Sequence, residues 1–190
     1  PVVDDAGLCP ASRTGGRPVG VALMGWLAGK TIRLVGESSA IAAALKAQGA
    51  ALVAEGDCDV LVHVAAPQPA RPVHELSHAE WRAALDAGLD QRFLQTSDFA
   101  AARRSAGKGG AVVYVGAPEQ ALGSDQAAAA GALINLTKTL GVEWARDGIR
   151  VNSVLTFDQG ETLGNLVAYL ASDYAAYVTG AVMGVGLDDG

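Results

Sequence analysis

His63 and Asp158 are the residues whose types and positions suggest acid–base chemistry in this chain. His63 closes an apolar run that begins at Val60, and Asp158 follows a second apolar run at residues 149–155. Each would therefore lie at the end of a buried strand, where a histidine or carboxylate can act as a general base. No serine or carboxylate stands near His63 at triad-like spacing, so the pattern favours a hydrogen-bonded structural histidine.

A glycine turn between a predicted strand and a predicted helix is the second candidate site. The strand TIRLVG ends at Gly36, and Ser38 or Ser39 caps the helix that continues through Ile41. Such a turn can hold a phosphate group, because the first backbone N–H groups of the helix point towards it. Glu37 adds a negative charge in the same turn, which would repel a phosphate.

Length and composition indicate one α/β domain. The chain has 190 residues, of which 50% are hydrophobic and 18% charged, enough for one well-buried core. The net charge of −6 argues against a nucleic-acid surface. Cys9 and Cys58 lack the spacing of a zinc site, and the apolar run at residues 19–28 is too short to span a bilayer. We therefore predict a cytoplasmic protein that binds no metal, nucleic acid or membrane.

Two amphipathic helices and three buried strands must position any site. A capping box at Ser77 and Glu80 begins one helix, and Ser124 is the predicted N-cap of a longer one that ends at Gly148. Their apolar faces consist of Trp81, Leu85, Leu89 and Phe93 in the first helix, and of Leu133, Leu136, Leu140 and Trp144 in the second. The strands are predicted at residues 111–115, 149–155 and 181–185. This alternation indicates a parallel sheet with helices on both faces.

The segments GIRVNSVLT and YVTGAVMGVG, with the long helix before them, resemble the C-terminal half of short-chain dehydrogenases/reductases. The resemblance covers residues 29–190 and implies a doubly wound, Rossmann-like parallel sheet in one domain, preceded by an extension at residues 1–28. The sheet would be truncated, because the family has a helix–strand–helix excursion where this chain has a few residues before Val60. We predict that residues 51–54 and 60–65 are not both parallel strands beside the first strand, since a parallel crossover needs a dozen or more residues. Residues 51–54 would continue the helix or form an irregular edge.

The resemblance also identifies the positions where the family carries its catalytic and cofactor-binding residues. Its catalytic Tyr, Lys, Asn and Ser positions are occupied here by Gln126, Ala130, Gly88 and Ala117, and no tyrosine of the chain has a lysine four residues later. Its phosphate-binding glycines are matched by Gly36, Ala40 and Ala42. Glu55 lies near the ribose-binding acid, and the substrate lid is reduced to a few residues after Leu155. The resemblance therefore implies no catalytic residue and no nicotinamide cofactor in this chain.

These replacements predict a chain that is not an enzyme on its own, like inactive subunits of heteromeric family members and the N-terminal domains of high-molecular-weight ketoacyl reductases. It would support an active paralogue, which holds NAD(P), in a heterotetrameric hydroxyacyl or ketoacyl thioester dehydrogenase, and it would pair with that paralogue or with itself. The predicted interface consists of Leu85, Leu89, Leu136, Leu140, Trp144 and Val182. The alternatives are an oxidoreductase with a remodelled site that uses His63 or Asp158, and a ligand-sensing domain.

Overall fold

Six parallel strands form the sheet in the part of the chain that the computed structural model describes, residues 25–66, 68–118 and 122–186. Their order across the sheet is β2–β1–β3–β4–β5–β6. The strands are β1 (Thr31–Val35), β2 (Ala51–Val53), β3 (Val60–Val64), β4 (Gly110–Gly116), β5 (Ile149–Thr156) and β6 (Val182–Val185). The central strands β3 and β4 are almost fully buried, as near-continuous apolar runs require in a sheet covered on both faces.

Five α-helices connect these strands within the same described residues. They are α1 (Ser39–Ala47), α2 (His78–Leu85), α3 (Gln91–Ser105), α4 (Ser124–Glu143) and α5 (Glu161–Ala171). A π-helical turn, Asp86–Asp90, joins α2 to α3. The capping box of Ser77 and Glu80 is confirmed, and Gly148 is left-handed as predicted. The N-cap of α4 is Gly123, so the prediction of Ser124 was wrong by one residue.

The helices cover the sheet in two layers, which confirms the predicted doubly wound α/β fold. Helices α1 and α5 pack on one face through Ile41, Leu163 and Val167. Helices α3 and α4 pack on the other face, where Phe99 and Leu133 meet the central strands. Leu27 is also fully buried in the α1–α5 layer, so the core begins before the predicted boundary at residue 28. Of the predicted extension, residues 1–24 lie outside the described residues.

The prediction that residues 51–54 and 60–65 could not both be parallel strands was wrong. Strand β2 pairs with β1 from Thr31↔Ala51 to Arg33↔Val53, and β3 joins the other edge of β1 from Ile32↔Val60. Because β2 has only three residues, the chain leaves it near the level at which β3 begins. The connection then needs only to pass the amino end of β1, and no full-length return is required.

Hydrogen bonds join that connection to the first residue of β1. The Thr31 backbone N–H donates to Asp59 Oδ2 at 2.8 Å, and the Asp59 N–H donates to the Thr31 carbonyl at 2.8 Å. Partial burial raises the pKa of Asp59, but the hydrogen bonds that its carboxylate accepts from the Thr31 N–H and hydroxyl, together with Arg103, lower it overall. The short loop thereby holds β2 and β3 on opposite sides of β1.

Candidate functional site

The carboxyl ends of β1 and β3 form the topological switch point of this sheet. Helix α1 follows β1 onto one face, whereas α2 and α3 follow β3 onto the other. The departing chains leave a crevice between Gly36 and Ala65, which is where open α/β sheets bind their ligands.

Gly36 makes the turn at this crevice tight. Its φ of +90° is in the left-handed region, and a Cβ there would lie 2.3 Å from the Val64 carbonyl oxygen. Only glycine fits such a position. Ser38 follows as the N-cap of α1, and its hydroxyl accepts from the Ile41 N–H at 3.3 Å.

Ala40 belongs to a helix contact as well as to this turn. A Cβ added at Gly164 of α5 would lie 2.7 Å from the Ala40 carbonyl oxygen and 2.9 Å from the Ala44 Cβ. Because Ala40 and Ala44 are one helical turn apart, they share the face directed at α5. Ala42 is half-buried, and Glu37 and Glu55 are exposed.

The phosphates of a dinucleotide fit this turn at its backbone. Gly36 preserves the tight turn. Of the first amides of α1, those of Ile41 and Ala42 already donate to Ser38, which leaves those of Ser39 and Ala40 as candidates to donate to a phosphate. Those amides, with Ser38 and Ser39, are the groups that can hold a phosphate. The part of the sheet that would lie beside the adenosine is short, because β2 ends at Val53. The predicted lack of a nicotinamide cofactor in this chain stays a prediction.

A row of polar side chains lies beneath the crevice on the α3–α4 face. His63, Tyr114 and Ser153 are neighbours on adjacent strands. The hydroxyls of Tyr114 and Thr96 are 2.7 Å apart, and those of Ser153 and Thr137 are also 2.7 Å apart. All five residues are at most 3% exposed. The helices therefore satisfy the hydroxyls that the sheet directs into this layer.

His63 differs from the other members of the row. Its ring stacks on Tyr114 with centroids 5.5 Å apart, but Nε2 is buried with no hydrogen-bond partner among the described residues. The expectation of a hydrogen-bonded histidine was therefore wrong for this atom. Burial, with the charges of Arg92 and Arg33, lowers the pKa of His63 to about 3, so the ring is neutral at pH 7. Burial raises the pKa of Tyr114 to about 12, so the phenol is protonated at that pH.

Asp158, the second candidate base, is engaged at the start of α5. Its Oδ1 accepts from the Gly160 N–H at 2.7 Å, and its own N–H donates to the Thr156 hydroxyl at 2.8 Å. It lies after β5 and His63 lies in β3, with β4 between them. The structure therefore does not bring the two candidate bases together.

The four positions matched to the family's catalytic residues lie around α4. Gln126 and Ala130 are half-buried in its first turns, and Ala117 is half-buried just after β4. Gly88 lies in the π-helical turn, and a Cβ there would be 2.8 Å from the Ala129 Cβ. Glycine thus permits the close approach of this turn to α4. The described residues contain no cluster of three or more side chains suited to a metal, and no helix among them is long and apolar enough to cross a membrane.

The predicted interface residues have different surroundings. Leu140 and Trp144 are only 5% and 7% exposed because they pack against the sheet, whereas Leu85, Leu89, Leu136 and Val182 are half-buried. Leu94 and Val142 were not predicted as interface residues, although they are 53% and 79% exposed. The available signal was an apolar residue outside the main stripe of its helix.

A groove lies between α3 and α4, the helices that carry Leu94 and Val142. Its volume is about 350 Å³, and we call it the α3–α4 groove. It is lined by Leu89, Asp90, Phe93, Ala132, Asn135, Leu136 and Thr139. Phe93 is 44% exposed, and Leu94 follows it along α3.

Comparison with known proteins identifies the family. Residues 35–158 match the family model described as enoyl-(acyl carrier protein) reductase. The chain belongs to the short-chain dehydrogenase/reductase family. It is 33% identical to cis-4-hydroxycyclohexanecarboxylate dehydrogenase of Sinomonas cyclohexanicum, over 68% of this chain and 65% of that relative. Among solved structures, an NAD(P)-dependent gluconate 5-dehydrogenase from Beutenbergia cavernae with bound NADP has a TM-score of 0.76 at 22% identity, covering 84% of this chain and 96% of that one.

A second short-chain dehydrogenase relative covers nearly the whole chain. This is the (2S)-[(R)-hydroxy(phenyl)methyl]succinyl-CoA dehydrogenase subunit BbsC of Thauera aromatica, 32% identical over 95% of this chain and 88% of the relative. The alignment spans 224 residues, more than the 190 of this chain. The relative therefore contains segments that this chain lacks, in agreement with the short connection between β2 and β3.

The prediction that the chain is not an enzyme on its own was wrong. The relatives are named as dehydrogenases, one of them as a dehydrogenase subunit, and these names point to an oxidoreductase. The prediction relied on the replacements at Gln126, Ala130, Gly88 and Ala117. Those replacements concern four side chains, and they do not by themselves decide whether the chain takes part in an oxidoreductase reaction.

Proposed function

We propose that this chain is a subunit of a hetero-oligomeric short-chain dehydrogenase that interconverts hydroxyacyl and ketoacyl thioesters with NAD(P). Its partner would be a second member of the family. The observation that carries the proposal is the exposure of three large apolar side chains on α3 and α4, those of Phe93, Leu94 and Val142, of which Phe93 lines the α3–α4 groove.

Such a surface favours a protein partner. Monomeric proteins rarely expose large contiguous apolar patches, and full burial of one Phe, Leu or Val side chain contributes about 1.5–3 kcal/mol. Asp90, Asn135 and Thr139 line the same groove. They supply polar groups beside the apolar surface, the arrangement that gives an interface its specificity.

The outer edge of β6, which no described strand covers, supports a second contact. It is the last strand in the sheet order, and Tyr177, shortly before it, is fully exposed. An unpaired parallel edge offers backbone groups for pairing with another chain. A tetramer of two-fold related pairs needs two separate contact surfaces on each chain. Here one would lie on helices and the other on a strand edge.

The relative from Thauera aromatica supports the thioester substrate and the second chain. Its name describes a subunit of a CoA-thioester dehydrogenase, and the similarity extends over 95% of this chain. NAD(P) would accept or supply the hydride in the assembly.

Co-expression with a short-chain dehydrogenase of the same organism, taken first from any gene that adjoins its own, tests the proposal. The two chains should co-purify, and the complex should oxidise a hydroxyacyl-CoA with NAD(P) at a higher rate than either chain alone. Separate elution, together with unchanged activity on mixing, would contradict it.

A further inference from the structure

A second cavity lies at the opposite edge of the sheet from the switch-point crevice, where β1, β3, β4 and β5 begin. Its volume is about 270 Å³, and we call it the amino-edge cavity. Pockets that bind drug-sized molecules have volumes of about 300–1,000 Å³, so this cavity has room for a smaller ligand. Its charged lining residues are Lys30, Asp59, Arg103, Arg150 and Asp173.

Glycines leave this cavity open at the beginnings of β4 and β5. Gly109, Gly110 and Gly148 line it, and none of them has a side chain that could fill the space. A Cβ at Gly109 would lie 2.6 Å from the Gly148 carbonyl oxygen, and a Cβ at Gly110 would lie 2.7 Å from Phe99. Backbone therefore forms part of the cavity wall, where it is accessible to a ligand.

Positive charge prevails in the lining of the amino-edge cavity, although the whole chain has a net charge of −6. Three cationic side chains and two carboxylates line it. Lys30 Nζ is 2.8 Å from Asp173 Oδ1, and Arg103 Nη1 is 3.1 Å from Asp59 Oδ1. Arg150 has no ion pair with a described carboxylate. The lining therefore attracts an anion.

Arg150 is held in position and keeps a free donor. Its Nη1 and Nη2 atoms donate to the carbonyls of Leu170 and Ser172 at 2.7 and 2.9 Å. Within the described chain its Nε atom has no hydrogen bond and is not sealed from solvent. Burial lowers the pKa of Arg150, with Asp173 and Tyr169 opposing that shift. An anion in the cavity would stabilise its charged form further.

Arg103 reaches the cavity from α3, on the other face of the sheet. Its side chain is only 7% exposed, and its Nε and Nη1 atoms donate to the carbonyls of Gly109 and Cys58 at 2.7 and 3.3 Å. Its Nη2 atom has no hydrogen bond with a described residue and is not sealed from solvent. The exposed Asp57 lies 3.7 Å from Nη1, where water screens its charge. An anion in the cavity can therefore accept from Nη2.

We propose that the amino-edge cavity binds a small monocarboxylate through Arg103, Arg150 and Lys30. The two oxygens of a carboxylate can accept from both guanidinium groups. Asp59 and Asp173 in the lining repel a second negative charge, so a monoanion fits better than a phosphate dianion. The site involves neither the crevice nor a second subunit, so its failure would leave the proposed function untouched.

Titration of the ¹⁵N-labelled full chain with propionate, followed by NMR, tests the site. At constant ionic strength, with chloride as the balancing anion, the amides of Gly109, Gly110 and Gly148 should shift saturably, whereas that of Gly36 in the crevice should not. Propionamide has nearly the same shape without the charge and should bind at least about tenfold more weakly. Equal affinities for the two compounds, or no saturable shift of the three cavity glycines, would overturn the proposal.

Two substitutions in the lining should change the affinity for propionate in opposite directions. Lys30→Gln removes a cation and should weaken binding about three- to tenfold, whereas Asp173→Asn removes a carboxylate and should strengthen binding by a similar factor. The Asp173 side chain is 85% exposed, so its replacement leaves the core intact. Arg146→Gln, at an exposed position outside the cavity, is the control and should bind like the wild type. An Asp173→Asn variant that binds propionate no more tightly than the wild type would also overturn the proposal.

Discussion

At the scale of single residues, unsatisfied groups are more informative than the replaced catalytic positions. Gln126 and Ala130 show what the family's usual pair has become, whereas His63 and Arg33 show which polar atoms lack partners in this structure. The sequence marked His63 as a candidate but could not show its environment.

The buried His63 should make stability depend on pH. Its folded pKa of about 3 lies below the ordinary value of 6.5, so the unfolded chain binds the extra proton between these values. Stability should therefore fall as pH decreases below 6.5, by about 2 kcal/mol between pH 6.5 and pH 5. Urea denaturation at both pH values measures this loss.

His63→Asn should reduce that loss. His74, whose side chain is 79% exposed, supplies the control, because His74→Asn should leave it unchanged. A wild-type protein that is equally stable at both pH values would show that His63 is not held neutral by the fold.

The turn at Gly36 should tolerate no side chain. Gly36→Ala places a Cβ 2.3 Å from the Val64 carbonyl oxygen at a φ of +90°, so backbone strain and overlap act together. We expect a loss of about 2–4 kcal/mol in the free energy of unfolding. Gly56→Ala has the same φ with open space around it and should lose only the strain contribution. Equal losses in the two variants would contradict the close contact with Val64.

At the scale of elements, apolar spacing identified the helices but did not show whether each apolar residue would face the core or the solvent. Leu140 and Val142 are two positions apart on α4, yet the first is 5% exposed and the second 79%. Spacing also could not reveal β2, because three residues carry too little pattern and because the crossover argument assumed full-length strands. The shortness of β2 and the Thr31–Asp59 hydrogen bonds make the observed order possible.

The two positions on α4 should respond differently to truncation. Leu140→Ala removes buried contacts with the sheet and should lower the free energy of unfolding by about 2–5 kcal/mol. Val142→Ala should change it by less than about 0.5 kcal/mol. Chemical denaturation of the isolated chain measures both. A large loss for Val142→Ala would mean that this residue packs within its own chain.

The contact between α1 and α5 should depend on Gly164. A methyl group there would lie within 3 Å of both the Ala40 carbonyl oxygen and the Ala44 Cβ, so the helices must separate. We expect Gly164→Ala to cost about 1–3 kcal/mol, whereas the exposed Asn165→Ala on the same helix should be nearly neutral. Thermal unfolding of the two variants compares them directly.

At the scale of the whole molecule, the fold keeps the shared α/β framework in fewer residues than its relatives use. The fold class and the last strands were predictable because long periodic segments mark them. The surface around the α3–α4 groove was only partly predictable, because exposure depends on how α3 and α4 pack together. Phe93 lines the groove, and the exposed Leu94 and Val142 lie on the same two helices. Val142 is the position at which a substitution tests assembly.

Native mass spectrometry of the chain co-expressed with a second short-chain dehydrogenase of the same organism tests the proposed assembly most directly. We expect a hetero-oligomer for the wild type and for Ala43→Asp, which adds the same charge at an exposed position of α1 on the opposite face of the sheet. Val142→Asp should dissociate the complex and leave the chain folded, since it places an unpaired charge in an apolar contact. A wild-type chain that remains a monomer beside a folded partner would contradict the proposed assembly. A complex that Val142→Asp leaves intact would contradict an interface at the exposed face of α4.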